Sequence, residues 1–213
     1  WHKGVVGIVA SRMVDRYYRP TIILTGSEEM VSGSARSVVG FDIHHAISEC
    51  SDLLEQYGGH QMAAGVSLKK ENVKPFQDKF EEVVSGIITD EHLTPVLDID
   101  EEISLTRITD KFVSVIKQFA PFGPGNLNPV FRSNRLIAMD VRKVGAEDKH
   151  IKLSVADPFH HNRQVEAIAF NLGQHYDAIS DGGQFDLAYT IEENHWNGRV
   201  TIQLNVKDIK MIA

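Results

Sequence analysis

The chain has 213 residues, 42% of them apolar and 24% charged, with 22 Lys and Arg against 29 Asp and Glu for a net charge of −7. Such proportions belong to ordinary globular chains and exclude disordered and collagen-like architectures, and no apolar run approaches the roughly 18–20 residues that a membrane-crossing helix needs. The negative charge also argues against a strongly cationic nucleic-acid binder, although its placement is uneven: residues 91–129 carry 3 basic and 6 acidic side chains, residues 130–213 carry 10 and 11. In chain order, Val6, Val9, Ala10, Met13, Val14 and Tyr17 recur at helical spacing until Pro20, predicting an amphipathic helix over residues 5–18. Residues 21–24 and 30–37 read as strands around a Gly26-Ser27-Glu28-Glu29 turn. Ile43, Ala46, Ile47, Cys50, Leu53, Leu54 and Tyr57 mark one face of a second helix, with Asp42 as its cap and Gly58 as its left-handed terminator. A strand over 63–68 and a helix carrying Val73, Phe76, Phe80, Val83, Val84 and Ile87, with Pro75 in its first turn, complete an α/β domain of a mixed sheet with flanking helices, ending near residue 90.

Residues 91–128 read as a connector with one helix, on which Phe112, Val115, Ile116 and Phe119 share a face and Thr106 or Thr109 supplies the cap. Pro121, Gly123, Pro124, Gly125 and Pro129 stop it, and a domain boundary is expected at about 125–130. Beyond it the apolar period becomes two. Five strands, the first over 130–144, an Asn197-Gly198 hairpin turn and a helical break near 172–180 predict an all-β, OB-fold-like barrel over 129–213. The single Cys50 cannot close an internal disulfide, which fits a cytoplasmic setting, and the start at Trp1 without a leader suggests a piece of a longer chain.

Gly33-Ser34-Ala35-Arg36-Ser37 sets small residues around one guanidinium. Small neighbours let a phosphate approach the backbone, Arg36 offers a planar fork of donors, and Ser34 and Ser37 add hydroxyls. The plainer reading is an edge strand with a surface arginine. Gly58-Gly59-His60, followed by Ala63-Ala64-Gly65, permits positive φ and close approach to the backbone, and presents an imidazole able to donate to phosphate or move a proton. A helix end with an exposed histidine explains the same residues. Gly4 opens the first helix near His2, Lys3 and Arg12, which suits an anion or merely close packing. Asp42, His44 and His45 have metal-ligand chemistry but the wrong spacing, and His160-His161 reads as a polar loop. In the barrel, Tyr189, His195, Trp196, Arg199, Lys149, Lys152 and Arg163 are of the kinds that stack on bases and pair with phosphates, unless Tyr189 is core and the charges only solubilise.

Taken together, WHKGVVGIVASR (1–12), GSARS (33–37), GGHQMAAG (58–65), FGPGNLNPVF (122–131) and NHWNGRVTIQLNVKDI (194–209) resemble the RecJ family of single-strand-specific 5′→3′ exonucleases, within the DHH phosphoesterase superfamily. The resemblance implies a DHHA1 domain over 1–90, incomplete at its start, then the connector and the OB-fold domain. It implies that Ser34, Arg36 and His60, with Ser37, Gly58 and Gly59 around them, hold the phosphates of single-stranded DNA, His60 closest to the scissile group, while Tyr189, Trp196 and Arg199 contact the strand on the barrel. Two Mn²⁺ or Mg²⁺ ions belong to a separate DHH domain whose Asp-His-His motif has no counterpart here, because Asp42-Ile43-His44-His45 carries an extra residue. The chain alone is therefore expected to be inactive and to assign no metal ligand. DNA repair and recombination, monomeric action, a single-strand-binding protein or RecQ-type helicase as partner, and no membrane are what the family suggests. The rival expectations are a DHHA1 phosphodiesterase of short oligonucleotides or cyclic dinucleotides, against which the barrel counts, and a non-catalytic single-strand-binding module, against which GSARS and GGH count together.

Overall fold

A computed structural model describes residues 2–26 and 29–212; Trp1 and the Ser27-Glu28 part of the expected turn lie outside the described residues. The chain divides into two compact units, Trp1–Val96 and Leu97–Ala213.

The first unit runs α1 (Val6–Tyr17), β1 (Thr21–Gly26), β2 (Met30–Arg36), α2 (Ile43–Ser48), β3 (Gln56–His60), β4 (Ala63–Lys69), α3 (Val73–Ile87) and α4 (Asp90–Leu93). The α/β expectation holds, but the sheet, ordered β1-β2-β4-β3, is antiparallel in all three ladders rather than mixed. The reason is the route of the chain: α2 carries it past one strand position, and the β3–β4 hairpin then fills the gap, so β4 runs opposite to both neighbours. Alternation along β2 and β4 buries Val31, Ala35, Ala64, Val66 and Leu68 on one face, against Ile43, Ala46 and Ile47 of α2 and Phe76 of α3. Each large aliphatic side chain so covered contributes about 1.5–3 kcal/mol. The opposite face of these strands presents Ser32, Ser34 and Arg36 beside Ala63, Gly65 and Ser67.

The second helix is much shorter than its apolar spacing predicts. Asp42 caps it as expected, its Oδ1 accepting from the His45 N–H at 2.9 Å, but α2 ends at Ser48. A 3-10 turn over Ser51–Leu53 follows, and the chain is extended from Leu54. Tyr57, counted as a helix position, instead pairs with Val66 across β4. Gly58 and Gly59 therefore lie inside a strand, not at a helix terminus.

The second unit holds β5 (Glu101–Glu102), α5 (Asp110–Lys117), β6 (Phe131–Val144), β7 (His150–Asp157), β8 (His160–Ala169), α6 (Tyr176–Ser180), β9 (Phe185–Trp196) and β10 (Arg199–Met211). Strands β6-β7-β8-β10-β9 form a barrel closed by the β6–β9 ladder, with β8 and β10 parallel. This is the five-stranded OB arrangement expected, with α6 between the third and fourth barrel strands. Asn197 (φ 48°) and Gly198 (φ 73°) make the hairpin turn with both central residues left-handed, as two-residue hairpins prefer. His160 begins β8 opposite Asp157, so the expected polar loop is a strand start; side chains of residues 160–162 lie outside the described residues.

The boundary expected at 125–130 is replaced by one between Val96 and Leu97. Ile103, Leu105, Ile108, Val113 and Ile116 of the connector belong to the barrel core with Phe131, Leu187 and Tyr189, and Thr109 caps α5 through the Phe112 N–H. The proline- and glycine-rich stretch is a turn within this unit, closed by the Asn126 amide donating to the carbonyls of Phe119 at 2.8 Å and Pro121 at 2.9 Å.

Barrel closure requires β6 to pair with β9 over its first part and β7 over its second. The strand breaks register between Ser133 and Leu136, where Arg135 takes φ 51°. Asp186 fastens the break: Oδ1 accepts from the Arg135 N–H at 2.9 Å and Oδ2 from Arg132 Nη2 at 2.5 Å. Burial pushes its carboxyl up, but hydrogen bonds from Arg132 and the Arg135 N–H, with the Arg132 and Lys210 charges, outweigh it and hold the group below the ordinary aspartate range. A carboxyl held low stabilises the fold above its unfolded pKa of about 3.9 and loses that contribution as pH falls through its lower folded value. Asp186→Ala should cost about 1.5–3 kcal/mol of unfolding free energy at neutral pH. The penalty should shrink on acidification below about pH 4; a pH-independent penalty in denaturant titrations would count against this role.

Candidate functional site

The site grows from the register of the first sheet. Arg36 pairs with Ala63 and Ala63 with His60, so these residues form one row across β2, β4 and β3, and partners in an antiparallel row point to the same face. At about 4.8 Å between strands, the Arg36 and His60 backbones stand roughly 10 Å apart across the row. The next row on this face is Ser34, Gly65 and Gly58. A Cβ built on Gly58 meets nothing within 4 Å and one on Gly65 only the Gly33 carbonyl at 3.9 Å, so the space over the middle of the row is open. Bare backbone there leaves room for a bulky anion beside the row that carries the cation and the imidazole.

Arg36 is half-buried and held by its own strand. Nη1 donates to Ser34 Oγ at 2.9 Å and to the Ala35 carbonyl at 2.8 Å. On its other side lies α1, where a Cβ on Gly7 would stand 2.9 Å from Arg36 Nη2 and 3.3 Å from Ser34 Oγ. Gly7 thus lets the helix pass the guanidinium, and no ion pair to Arg36 occurs among the described residues. A fork positioned in this way, with no carboxylate of its own, suits a phosphate.

His60 sits at the end of β3, before the Gln61-Met62 turn into β4. Its Nδ1 accepts from the Met62 N–H at 3.3 Å, so the neutral ring carries its proton on Nε2, aimed away from the turn. The turn is itself anchored, the Met62 carbonyl accepting from the Ser37 N–H at 3.0 Å and the Gln61 carbonyl from the Ile43 N–H at 3.1 Å. The imidazole is therefore an exposed donor on a fixed support.

Other expected contacts fare differently. Ser37 is buried and its hydroxyl donates to the Phe41 carbonyl at 2.7 Å, so it secures the exit from β2 and does not reach a ligand. Gly59 has φ 145°, and its absent Cβ would meet the Ala63 carbonyl, so its part is to allow the hairpin. Tyr189 is fully buried, its hydroxyl 2.7 Å from Ser133 Oγ and its pKa pushed up to about 12 by burial, which removes it from any stacking surface. Lys149 and Lys152 pair with Glu147 and Glu166, and the Arg163 guanidinium donates to the Ile108 carbonyl. Trp196 is 72% exposed and pairs with exposed Arg199 beside the Asn197-Gly198 turn. Among the described residues no three His, Cys, Asp or Glu side chains gather to hold a metal ion, and the Asp42 carboxylate is committed to α2.

The RecJ OB domain family matches residues 99–208, more than half of the chain, and the DHHA1 domain family matches residues 1–86. The chain belongs to the RecJ family. It is 37% identical to the single-stranded-DNA-specific exonuclease RecJ of Bacillus subtilis over 98% of this chain and 26% of that protein. It is 33% identical to its Haemophilus influenzae counterpart over 100% of this chain and 37% of that one. The chain thus spans about a quarter to just over a third of the curated relatives' length. Among solved structures, Thermus thermophilus RecJ in complex with Mn²⁺ superposes with a TM-score of 0.81 at 22% identity, covering 100% of this chain and 30% of that one, and its Mg²⁺ complex with 0.72 at 20% identity. At those identities the likeness establishes the RecJ fold of both units.

The residues missed in the sequence are Ser32, Ser67 and Gln56, which continue the open face beyond Ser34. Alternation of small polar residues along 30–37 and 63–69 was the available signal for the serines. Gln56 was hidden by the helix assigned to it.

Proposed function

We propose that this chain is the substrate-binding half of a single-stranded-DNA-specific 5′→3′ exonuclease of DNA repair and recombination. The observation that carries the reading is the shared row of Arg36 and His60 beside an open row floored by Gly65 and Gly58, a geometry suited to an anionic ester. Two Mn²⁺ or Mg²⁺ ions, held by a DHH domain outside these residues, would supply the activated water and the charge that stabilises the leaving oxygen. Arg36 and Ser34 bind and orient the phosphate, and His60 presents Nε2–H to it. Without those ions the chain binds and does not cleave. The RecJ relatives carry single-stranded DNA in their names, and an OB barrel with an exposed Trp196 and Arg199 suits a strand extending past the cut, which favours this reading over hydrolysis of cyclic dinucleotides. Cytoplasmic, monomeric action alongside a single-strand-binding protein or a RecQ-type helicase completes the proposal.

The barrel's part is tested by Trp196→Ala, measured by anisotropy on labelled single-stranded DNA and by thermal unfolding. Loss of a stacked ring should weaken binding by about 1–3 kcal/mol. Because the ring is exposed at a hairpin tip, the unfolding temperature should hardly move. Unchanged affinity would remove the hairpin from the DNA path.

A further inference from the structure

The open face of the first sheet extends further than a single phosphate requires. One pleat repeat past Ser34, roughly 7 Å along the strands, Ser32 pairs with Ser67 and Ser67 with Gln56, forming a third row on the same face. The three side chains make no hydrogen bond among the described residues. They line a groove of about 690 Å³ together with Gly58 and Gly65, bounded by Lys3 and Glu55. Lys3 and Glu55 set opposite charges on its rim, with Glu55 3.9 Å from Lys69, so this end carries ammonium groups but no planar guanidinium fork of the kind Arg36 offers a phosphate. What it offers is two hydroxyls and a carboxamide, groups that both donate and accept. Those are the partners of a base edge and a sugar. The glycine row between them and Arg36 leaves room for the ribose ring against the backbone.

Resting on the reading of Arg36 and Ser34 as a phosphate grip, we propose that Ser32, Ser67 and Gln56 form a nucleoside subsite for the nucleotide whose phosphate that grip holds. A carboxamide that rotates can meet a donor or an acceptor, so the subsite takes the nucleoside without selecting one base. Gln56 and the serines are binding residues of this subsite.

The test is a calorimetric titration of the 213-residue chain with 5′-dAMP and with 2-deoxyribose 5-phosphate, which shares the sugar and phosphate but lacks the base. The base should tighten binding about fivefold or more, the worth of one or two net hydrogen bonds. Gln56→Ala with Ser67→Ala should erase that difference while leaving 2-deoxyribose 5-phosphate unchanged, and both side chains are unbonded, so the fold should persist by circular dichroism. Arg36→Ala should weaken both ligands. Equal binding of the two ligands, with sensitivity to Arg36→Ala retained, overturns the nucleoside subsite alone. Insensitivity to Arg36→Ala overturns the phosphate grip, and no binding of either at millimolar concentrations overturns both.

Discussion

Arg36→Ala should lower turnover of single-stranded DNA by about 10- to 100-fold in an enzyme that joins this chain to its metal-bearing domain, the equivalent of one charge-assisted contact worth about 1.5–3 kcal/mol. The wild-type guanidinium spends Nη1 on Ser34 Oγ and the Ala35 carbonyl, and Nη2 faces the glycine gap left at Gly7. Removing it leaves the strand register intact, since β2 is held by backbone ladders on both sides. Unfolding free energy should accordingly change by no more than about 1 kcal/mol. Arg36→Lys keeps the charge but not the planar fork, so its activity should fall between the two. The measurement is kcat/KM on single-stranded DNA beside a denaturant titration. Activity equal to wild type at both low and saturating DNA would show that Arg36 does not touch the substrate.

The proposed grip also answers the difficulty of the overall charge. A chain of net −7 is a poor electrostatic sponge for DNA. On the proposed reading, affinity for single-stranded DNA comes from a few directed donors over bare backbone and from stacking, both of which tolerate any base order. On that account the salt dependence of binding should correspond to only a few phosphates.

Legibility in the sequence followed the range of the interactions responsible. The α1 and α3 helices and the barrel strands were readable because a single period, 3.6 or 2, runs through Val6–Tyr17, through Val73–Ile87 and through Phe185, Leu187, Tyr189 and Ile191. The stretch 43–57 was not, because Leu53, Leu54 and Tyr57 fall at helical spacing by coincidence, and the pairing of Tyr57 with Val66 that overrides it is non-local. The connector was misassigned for the same reason: its prolines and glycines are local signals, while burial of Ile108 and Ile116 against the barrel is tertiary. At the site, Arg36 and His60 were recognisable as chemistry, but that they share a row depends on β4 entering between β2 and β3. Tyr189 and Ser37 show the limit from the other side, since composition cannot tell a ring or hydroxyl that stacks or binds from one already bonded inside.

The adjacent glycines of the site allow its support and its opening to be separated. Gly59→Ala should destabilise the first unit severely: φ is 145°, and the new Cβ would lie 2.3 Å from the Ala63 carbonyl oxygen and 2.5 Å from the Ala64 Cα. Those atoms are backbone of β4, paired directly with β3, and cannot retreat without breaking the ladder. Overpacking of about 1–3 kcal/mol and backbone strain of similar size together predict a loss of roughly 2–5 kcal/mol. Amide exchange should accelerate in β3 and β4 and stay slow in the barrel, which is a separate unit. Gly58→Ala should behave in the opposite way, because its Cβ meets nothing within 4 Å and φ is unexceptional. Stability should hold within about 1 kcal/mol, since Ala is also the better strand former of the two. The methyl group would, however, stand on the open face in the row of Ser34 and Gly65, next to that of Arg36 and His60, so affinity for 5′-dAMP should fall while exchange rates do not. If Gly58→Ala instead left affinity for 5′-dAMP unchanged, or destabilised the unit as Gly59→Ala does, the glycine would be a requirement of the hairpin or neutral and not an opening for substrate.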